Sequence, residues 1–229
     1  MVEKSNKSAL VVFSGGQDST TCLGWAKNRY EHVETITFDY HQKHAVEIEQ
    51  AKKIAKILQV ANFVMEINIF AQLDDSALID TSLDINAKHR NRPNLPASFV
   101  PNRNAVFFTA AHAYAQKMGL DHIITGINQT DYSGYPDCRI PFVKSLEEAL
   151  NLGSESDIRF LYPLIHLSKA ETFKLAEEEG VLDIVLKETH TCYNGDRSQF
   201  HEWGYGCDAC PACELRKKGW FEYKENYHT

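Results

Sequence analysis

Short apolar runs and amphipathic stretches alternate along the first two thirds of the chain. Residues 9–13 form a continuous apolar run, which is typical of a parallel strand covered on both faces. Apolar positions recur at helical spacing in residues 18–30, and this spacing predicts a helix directly after that strand. The same periodicities predict further strands at 33–39, 63–69, 122–126 and 158–162, and further helices at 45–58, 103–118, 141–152 and 169–179.

This alternation predicts an α/β fold class with a doubly wound parallel sheet, in which ligands gather at the carboxyl ends of the strands. Gly119 and Gly153 are expected to end the helices that precede them. Ser168 and Glu171 form the signature of a capping box at the start of another helix. Two long polar stretches, 71–100 and 127–140, interrupt the pattern, and we expect them to be binding loops or lids.

After about residue 187 the periodic pattern gives way to a stretch rich in Cys, Gly, Trp and Tyr. We therefore expect an α/β domain over residues 1–186 and a small lobe over residues 187–229. The lobe holds four of the six cysteines, and this clustering favours a metal site over disulfides: Cys192, Cys207, Cys210 and Cys213. Four thiolates at these spacings suit one tetrahedral, structural Zn²⁺ ion per chain, but repeated Cys-x-x-Cys spacing also serves iron–sulfur clusters.

Composition and charge narrow the class of protein. The chain has 229 residues, of which 43% are hydrophobic and 24% charged, as in an ordinary globular protein. Its formal net charge of −7 argues against an extended nucleic-acid surface, so we expect no direct nucleic-acid partner. No apolar run reaches the ~18–20 residues of a membrane span, and the first apolar run is too short for a signal peptide. We expect a cytoplasmic protein without a membrane partner.

The strongest chemical signal follows the first predicted strand, in residues Ser14 to Thr20, which read Ser-Gly-Gly-Gln-Asp-Ser-Thr. Adjacent glycines let the backbone turn sharply and direct several N–H groups to one point. The following helix adds its free N–H groups and the positive end of its dipole, so the segment predicts an anion site. The motif is neither a Walker loop nor a Gly-x-Gly-x-x-Gly loop. A plain strand-to-helix turn is the simpler interpretation, but the strand-loop-helix context favours binding.

Residues Ser14 to Ser19 resemble the signature of the PP-loop, or N-type, ATP pyrophosphatases. Further blocks resemble one family within it, the 7-cyano-7-deazaguanine synthases of queuosine biosynthesis. These blocks span almost the whole chain: 12–22, 37–40, 99–104, 130–139, 169–172 and 191–195, followed by the late cysteines. Block 130–139, Thr-Asp-Tyr-Ser-Gly-Tyr-Pro-Asp-Cys-Arg, is the most discriminating. Within the resemblance, His41 and Asn102 stand where glycine is usual, and Asn128-Gln129 replace a Cys-Glu pair.

The resemblance implies an adenine nucleotide alpha hydrolase-like fold and assigns roles to residues. Catalytic candidates are Ser14, Asp18, Ser19 and Lys169, with Asp18 near Mg²⁺ and Lys169 on a phosphate. Residues expected at ATP are Phe13, Ser14, Gly15, Gly16, Gln17, Asp18, Ser19, Thr20, Thr37, Phe38 and Gly126. Those expected at the substrate are Arg103, Asp131, Tyr132, Tyr135, Asp137 and Arg139. In that set, Asp131 or Asp137 could pair with a guanine-like base, Tyr132 or Tyr135 could stack on it, and Arg139 could hold a carboxylate. A surface loop is the alternative for 126–139.

The implied function is a ligase. It would convert 7-carboxy-7-deazaguanine and ammonia to 7-cyano-7-deazaguanine through an adenylated acid and an adenylated amide, releasing AMP and pyrophosphate. The resemblance also implies ATP as a substrate, Mg²⁺ and Zn²⁺ as metals, and a homodimer. Three alternatives stay open: a tRNA-thiolating PP-loop enzyme, a relative that stops at the amide, and a non-catalytic interaction module with a zinc lobe.

Overall fold

The computed structural model describes residues 4–42, 46–70, 88–89, 92–96, 98–129 and 135–227, with backbone alone for 88–89 and 92–96. In chain order the elements are β1 (Ser5–Val12), α1 (Gln17–Arg29), β2 (Tyr30–Asp39), α2 (Val46–Ile57), β3 (Ala61–Glu66), β4 (Lys88–His89), β5 (Arg92–Pro96), α3 (Arg103–Met118), β6 (His122–Ile124), a 3-10 turn (Pro136–Cys138), α4 (Ile140–Ser154), β7 (Arg159–Leu161), α5 (Lys169–Glu178), α6 (Leu182–Glu188), β8 (Phe200–His201), β9 (Gly204–Tyr205) and α7 (Pro211–Tyr227).

A parallel five-stranded sheet in the order β3-β2-β1-β6-β7 forms the centre of the fold. β1 pairs on one edge with β2 and on the other with β6, and its side chains alternate between two separate apolar clusters. Leu10 packs with residues of α3 and α4, whereas Ala9 and Val11 pack with residues of α1 and α2. Helices therefore cover both faces, which confirms the predicted doubly wound α/β class. The strand order reverses between β1 and β6, and a crevice forms there at the carboxyl ends.

The predicted helices are present, but the predicted C-terminal end of one of them, α4, was wrong. Helix α3 ends at Met118 as predicted, and Gly119 adopts a left-handed φ of 68° as its C-cap. Helix α4 continues through Gly153, and Glu155 takes the left-handed position instead, with a φ of 50°. The prediction that Gly153 ends the helix was wrong because a single glycine costs a helix only ~1 kcal/mol. Strand β3 ends at Glu66, three residues earlier than predicted, and Ile69 is 45% exposed.

Several elements were not predicted: two ribbons, the short helix α6, the 3-10 turn and the long helix α7. Within the polar stretch 71–100, strands β4 and β5 form an antiparallel ribbon. Within the predicted lobe, β8 and β9 form a second ribbon, and α7 runs for 17 residues. The buried positions of α7 do have helical spacing: Ala212, Cys213, Arg216, Gly219, Trp220 and Tyr223. Hydrophobic periodicity does not reveal this buried stripe, because cysteine, arginine and glycine occupy half of its positions.

Two positions where the resemblance expects glycine keep a backbone that favours glycine. His41 has a φ of 60° and Asn102 a φ of 57°, both in the left-handed region. Asparagine tolerates this region better than most residues, and histidine is several-fold enriched there. At these two positions the backbone therefore has the conformation that glycine adopts most easily.

The late lobe shares one apolar cluster with the preceding helices. Phe173 of α5 packs edge-on against Trp220 of α7, and Val185 of α6 belongs to the same cluster as the cysteines. A Cβ atom on Gly219 would lie 2.6 Å from the Lys169 Cβ, so glycine is needed where α7 crosses α5. The boundary at residue 186 stays a prediction. Within the part of the chain that the structure describes, no helix has the length and apolar character of a membrane span.

The crossing of α5 and α7 generates the first prediction. Gly219→Ala is expected to destabilise the protein by about 1–3 kcal/mol, because the added methyl meets the stem of Lys169 rather than open space. Gly153→Ala is the matched control, since its Cβ would meet nothing within 4 Å, and it should stabilise the protein by about 0.5–1 kcal/mol. Urea unfolding of both variants measures the two values, and an equal effect of both would contradict the close crossing.

Candidate functional site

The loop between β1 and α1 is shaped by its glycines. Gly15 has a φ of 76°, and a Cβ atom there would lie 2.7 Å from the backbone nitrogen of Ala51 in α2. Gly16 is the N-cap of α1 and supplies no side chain to the free N–H groups of the first turn. Those groups therefore stay available to an anion, as the sequence predicts for a phosphate loop.

Two hydroxyl groups flank the loop. The oxygens of Ser14 and Ser19 lie 3.2 Å apart, and Ser19 also donates to the carbonyl of Gly16 at 3.3 Å. Both serines line one cavity of about 360 Å³, which is within the usual range for a small-ligand site. Gln17 and Thr20 point away from it and are buried below the loop.

Asp18 and Lys169 form an ion pair at the edge of the loop. The Lys169 amine donates to both oxygens of Asp18, at 3.0 and 2.9 Å, and the two side chains are 10% and 29% exposed. Lys169 is the first residue of α5, and the predicted capping box is present, with Ser168 accepting from Glu171 N and the Glu171 carboxylate accepting from Ser168 N. Because this cap fixes the first turn of α5, it also fixes the position of the Lys169 backbone at the start of the helix.

The segment after β6 closes the crevice from the other side. A Cβ atom on Gly126 would lie 3.2 Å from the Ser19 backbone nitrogen, so the two segments approach too closely for a larger residue. Asn128 is buried and donates to the carbonyl of Leu167 at 2.6 Å, which ties this segment to the approach to α5.

The cavity brings together nine of the residues predicted for catalysis, ATP or substrate. They are Phe13, Ser14, Asp18, Ser19, Thr37, Phe38, Arg103, Gly126 and Lys169. The other predicted residues within the described part do not line it: Gly15, Gly16, Gln17, Thr20, Tyr135, Asp137 and Arg139. Asp131 and Tyr132 lie outside the described residues. Gly15 and Gly16 shape the backbone of the loop, and they have no side chain that could line the cavity.

One wall of the cavity is aromatic. Phe38 stacks on Phe107 of α3 with ring centres 4.5 Å apart and an angle of 8° between the planes. The Thr37 hydroxyl donates to the Phe13 carbonyl at 2.8 Å, so it holds the ends of β1 and β2 together. A flat apolar wall suits a planar heterocycle. Phe107 was missed, since a phenylalanine in an apolar helix gives no signal of its own.

A positively charged residue, Arg103, lines the cavity close to several tyrosines. Arg103 lies 5.6 Å from the ring centre of Tyr135 and lines the cavity beside Tyr40 and Tyr193. Burial by itself lowers the pKa of Arg103, but the nearby tyrosines and Asp137 together raise it above its ordinary value. Burial raises the pKa of Tyr40 to about 12 and also raises that of Tyr193. The phenols of Tyr40 and Tyr193 are therefore neutral at pH 7, and Arg103 is the charged group beside them.

Asp137 and Arg139, both predicted at the substrate, have other surroundings. The Asp137 carboxylate is buried and accepts from the backbone N–H of Asn104 at 2.9 Å, so it caps the first turn of α3. Arg139 is exposed at the N-cap of α4. Arg103 is thus the member of the predicted substrate set that the structure places in the cavity.

Glu47 is a cavity residue that the sequence did not reveal. It lies in the first turn of α2 and lines the cavity together with Arg103. Burial raises its pKa from the ordinary value of 4.5 to about 7, and the nearby Arg103 opposes part of this shift. An acidic residue at a helix start is common for electrostatic reasons, so nothing in the sequence marked this one.

The four late cysteines converge on one point. Their sulfur atoms all lie within 4.8 Å of one another, with Cys207 and Cys213 at 4.0 Å and Cys192 and Cys210 at 4.0 Å. Four thiolates on one tetrahedral ion with bonds of ~2.3 Å would be ~3.8 Å apart. In a cubane cluster each thiolate binds a different iron, which separates the sulfurs further. The arrangement therefore fits a single ion with all four positions filled by protein.

The metal lobe also forms a wall of the cavity, which the sequence did not predict. His190 donates its backbone N–H to the carbonyl of Gly15 at 3.1 Å, so the lobe touches the phosphate loop directly. Thr191, Tyr193 and Arg216 line the cavity. Arg216 is buried and donates to Thr189, Thr191 and the carbonyls of Val185 and Trp203, at 2.7 to 2.9 Å. Burial lowers its pKa to about 10, so it remains charged at pH 7 and offsets the thiolates.

Comparison with known proteins identifies close relatives. The family described as "Queuosine biosynthesis protein QueC" matches residues 8–224. A 7-cyano-7-deazaguanine synthase of Wolinella succinogenes is 64% identical over 96% of this chain and 95% of its own. One from Helicobacter pylori is 52% identical over 96% of this chain and 98% of its own. A 4-thiouridine synthetase solved in complex with RNA and bound ATP shares the fold, with a TM-score of 0.51, 19% identity, and coverage of 78% of this chain and 42% of that one.

The metal centre leads to the second prediction. Cys192→Ala is expected to abolish stoichiometric metal binding and to lower Tm by ~10 °C or more, because ligand loss removes several kcal/mol from a domain of this size. Cys22→Ala is the control, since Cys22 is buried in the sheet core away from the four sulfurs and its variant should keep the metal. Elemental analysis and thermal unfolding give the readouts. A Cys192→Ala protein of full stability would argue against a structural metal.

Glu47 leads to the third prediction. Because folded protein holds the Glu47 proton more tightly than the unfolded chain, stability falls as pH rises from about 4.5 through about 7. Glu47→Gln removes this cost, so we expect it to stabilise the protein by about 1–3 kcal/mol at pH 8 and by much less at pH 5. Glu49→Gln, on the same helix but exposed, should show no such dependence. Urea unfolding at both pH values measures the difference, and a gain independent of pH would contradict the elevated pKa.

Proposed function

The chain belongs to the QueC family of queuosine biosynthesis enzymes, and we propose that it converts 7-carboxy-7-deazaguanine and ammonia to 7-cyano-7-deazaguanine with consumption of ATP. The observation that carries the proposal is one cavity in which the phosphate loop, Lys169 and Arg103 face a common space. Phosphate-binding groups and a cation for a carboxylate that line one cavity suit the adenylation of an acid.

In the first half of the reaction, an oxygen of the substrate carboxylate attacks the α-phosphorus of ATP, and pyrophosphate leaves with the electrons of the broken bond. The loop N–H groups, the hydroxyls of Ser14 and Ser19, and the Lys169 amine stabilise the charge that builds on pyrophosphate. Mg²⁺, when bound, neutralises phosphate oxygens, and Asp18 is the carboxylate at the loop that fits its shell.

Substrate orientation would depend on two parts of the cavity, the aromatic wall and Arg103. We assign the adenine to the wall formed by Phe38 and Phe107, with backbone groups near Thr37 at its edge. We assign the substrate carboxylate to Arg103 rather than Arg139, because Arg103 lines the cavity and Arg139 is exposed. Asp131 and Tyr132 stay candidates for the base, and Tyr135 supports Arg103 from behind.

In the second half, ammonia displaces AMP to give the amide, the amide oxygen is adenylated in turn, and loss of AMP leaves the nitrile. The names of the relatives favour this end point over a relative that stops at the amide and over a tRNA-thiolating enzyme. The intact loop and cavity argue against a non-catalytic module.

Further features of the proposal concern metals, location and assembly. We propose Zn²⁺ as the single structural ion at the four cysteines and Mg²⁺ as the partner of ATP. We also propose a cytoplasmic homodimer that uses small-molecule substrates and no nucleic acid. Metal analysis, which separates zinc from iron, tests the identity of the structural ion. Light scattering tests the homodimer.

The fourth prediction tests the reaction itself. Purified protein with ATP, Mg²⁺, ammonium and 7-carboxy-7-deazaguanine should release AMP only when the acid is present, and the product mass should be that of the nitrile. Lys169→Ala should slow AMP release by about 10²–10³-fold, because a group that stabilises the leaving pyrophosphate is lost. Lys174→Ala, an exposed lysine on the same helix, should leave the rate unchanged.

The other outcomes of this assay separate the hypotheses. Absence of acid-dependent AMP release would contradict the proposed function. An amide as the final product would mean that the second adenylation does not occur. AMP release that depends on tRNA would identify a thiolating enzyme instead.

A further inference from the structure

Amide formation from ammonia requires a proton acceptor inside the cavity. When ammonia adds to the adenylated carboxyl carbon, its nitrogen becomes positively charged and must lose a proton before AMP can leave productively. Two carboxylates stand among the described residues that line the cavity, Asp18 and Glu47. Both oxygens of Asp18 already accept hydrogen bonds from the Lys169 amine, at 3.0 and 2.9 Å, which leaves Glu47 as the candidate acceptor.

Glu47 is placed close to the reacting groups. The first turn of α2 packs directly on the phosphate loop, since the Glu47 carbonyl would lie 3.0 Å from a Cβ atom on Gly15. The Glu47 side chain lines the same cavity as Ser14, Ser19 and Arg103. A substrate held at Arg103 and adenylated at the loop would therefore present its carboxyl carbon between them.

The groups around Glu47 make it a suitable acceptor. Arg103 of α3 faces it with a positive charge, while the phenols of Tyr40 after β2 and Tyr193 of the metal lobe are neutral at pH 7. Burial outweighs the attraction of Arg103, and the carboxylate titrates at about 7. A base is most effective when its pKa lies near the working pH, because it is then both ionised and able to hold the proton.

We propose that the Glu47 carboxylate is the base that removes a proton from the attacking nitrogen during amide formation. The nitrogen lone pair forms the C–N bond, and the carbonyl π electrons move to oxygen. Glu47 takes one N–H proton from the adduct. The oxygen electrons then return to re-form the carbonyl, the bond to the phosphate oxygen breaks, and AMP leaves with that electron pair. Glu47 would be a catalytic residue, and its assignment depends on the proposed function.

The test separates adenylation from amide formation, using the full chain with its metal. Acid-dependent exchange of labelled pyrophosphate into ATP reports adenylation, and single-turnover formation of the amide from ammonium reports the second step. Glu47→Gln should keep exchange within about twofold of the wild type and slow amide formation by about 10²–10⁴-fold. Glu47→Asp, which retains a carboxylate, should recover part of the rate. Glu49→Gln is the matched control and should be unchanged in both assays.

Two further readouts distinguish a base from a residue that only shapes the cavity. Plotted against free ammonia, the wild-type rate should rise with pH through about 7, and this limb should be missing in Glu47→Gln. Hydroxylamine is a less basic nucleophile whose adduct loses its proton more readily to water, so it should reduce the defect of Glu47→Gln.

Each remaining outcome has a defined meaning. Equal slowing of exchange and amide formation in Glu47→Gln would overturn the assignment, because the residue would then act in binding or adenylation. Unchanged amide formation would also overturn it. If the wild-type protein itself shows no acid-dependent exchange, the proposed function fails, and this result is distinguishable from a failure at Glu47.

Discussion

The ion pair between Asp18 and Lys169 joins two helix N-termini that are 151 residues apart in the chain. Asp18 lies in the first turn of α1, beside the phosphate loop, and Lys169 begins α5. The pair is largely shielded from solvent, so it is screened less by salt than a surface pair. It ties the first residue of α5 to the first turn of α1, and both side chains line the cavity.

The segment that carries the four cysteines contacts both α5 and the phosphate loop. Helix α7 carries one of the four cysteines near its start and crosses α5 at Gly219, against the stem of Lys169. The four cysteine sulfurs lie together at the start of α7, and the buried Arg216 connects this helix to Thr189 and Thr191. The backbone between these threonines contacts the phosphate loop through His190. A structural metal can therefore affect the cavity without touching a substrate.

The cavity combines two sets of charged and polar groups. The loop offers backbone N–H groups, the α1 dipole and Lys169, all of which attract phosphate. The same cavity holds Arg103 and Glu47 among phenols whose pKa values burial raises. In such a site, one permanent cation can bind a carboxylate, while a carboxylate that titrates near neutrality can exchange a proton. Both groups need the same low polarity, because water would screen Arg103 and return Glu47 to its ordinary pKa.

The sequence by itself predicted the parallel sheet, the glycine turn after β1 and the group of four cysteines, because each is a local pattern. The apolar run of β1, the glycines before α1 and the Cys-x-x-Cys spacing all place their chemistry within a few residues. The tertiary structure alone decided that Arg103 rather than Arg139 enters the cavity, that Asp137 caps a helix, and that α7 rests on α5. It also decided that Glu47 is desolvated, since burial comes from residues distant in sequence, and no local pattern records which side chains will surround a given carboxylate.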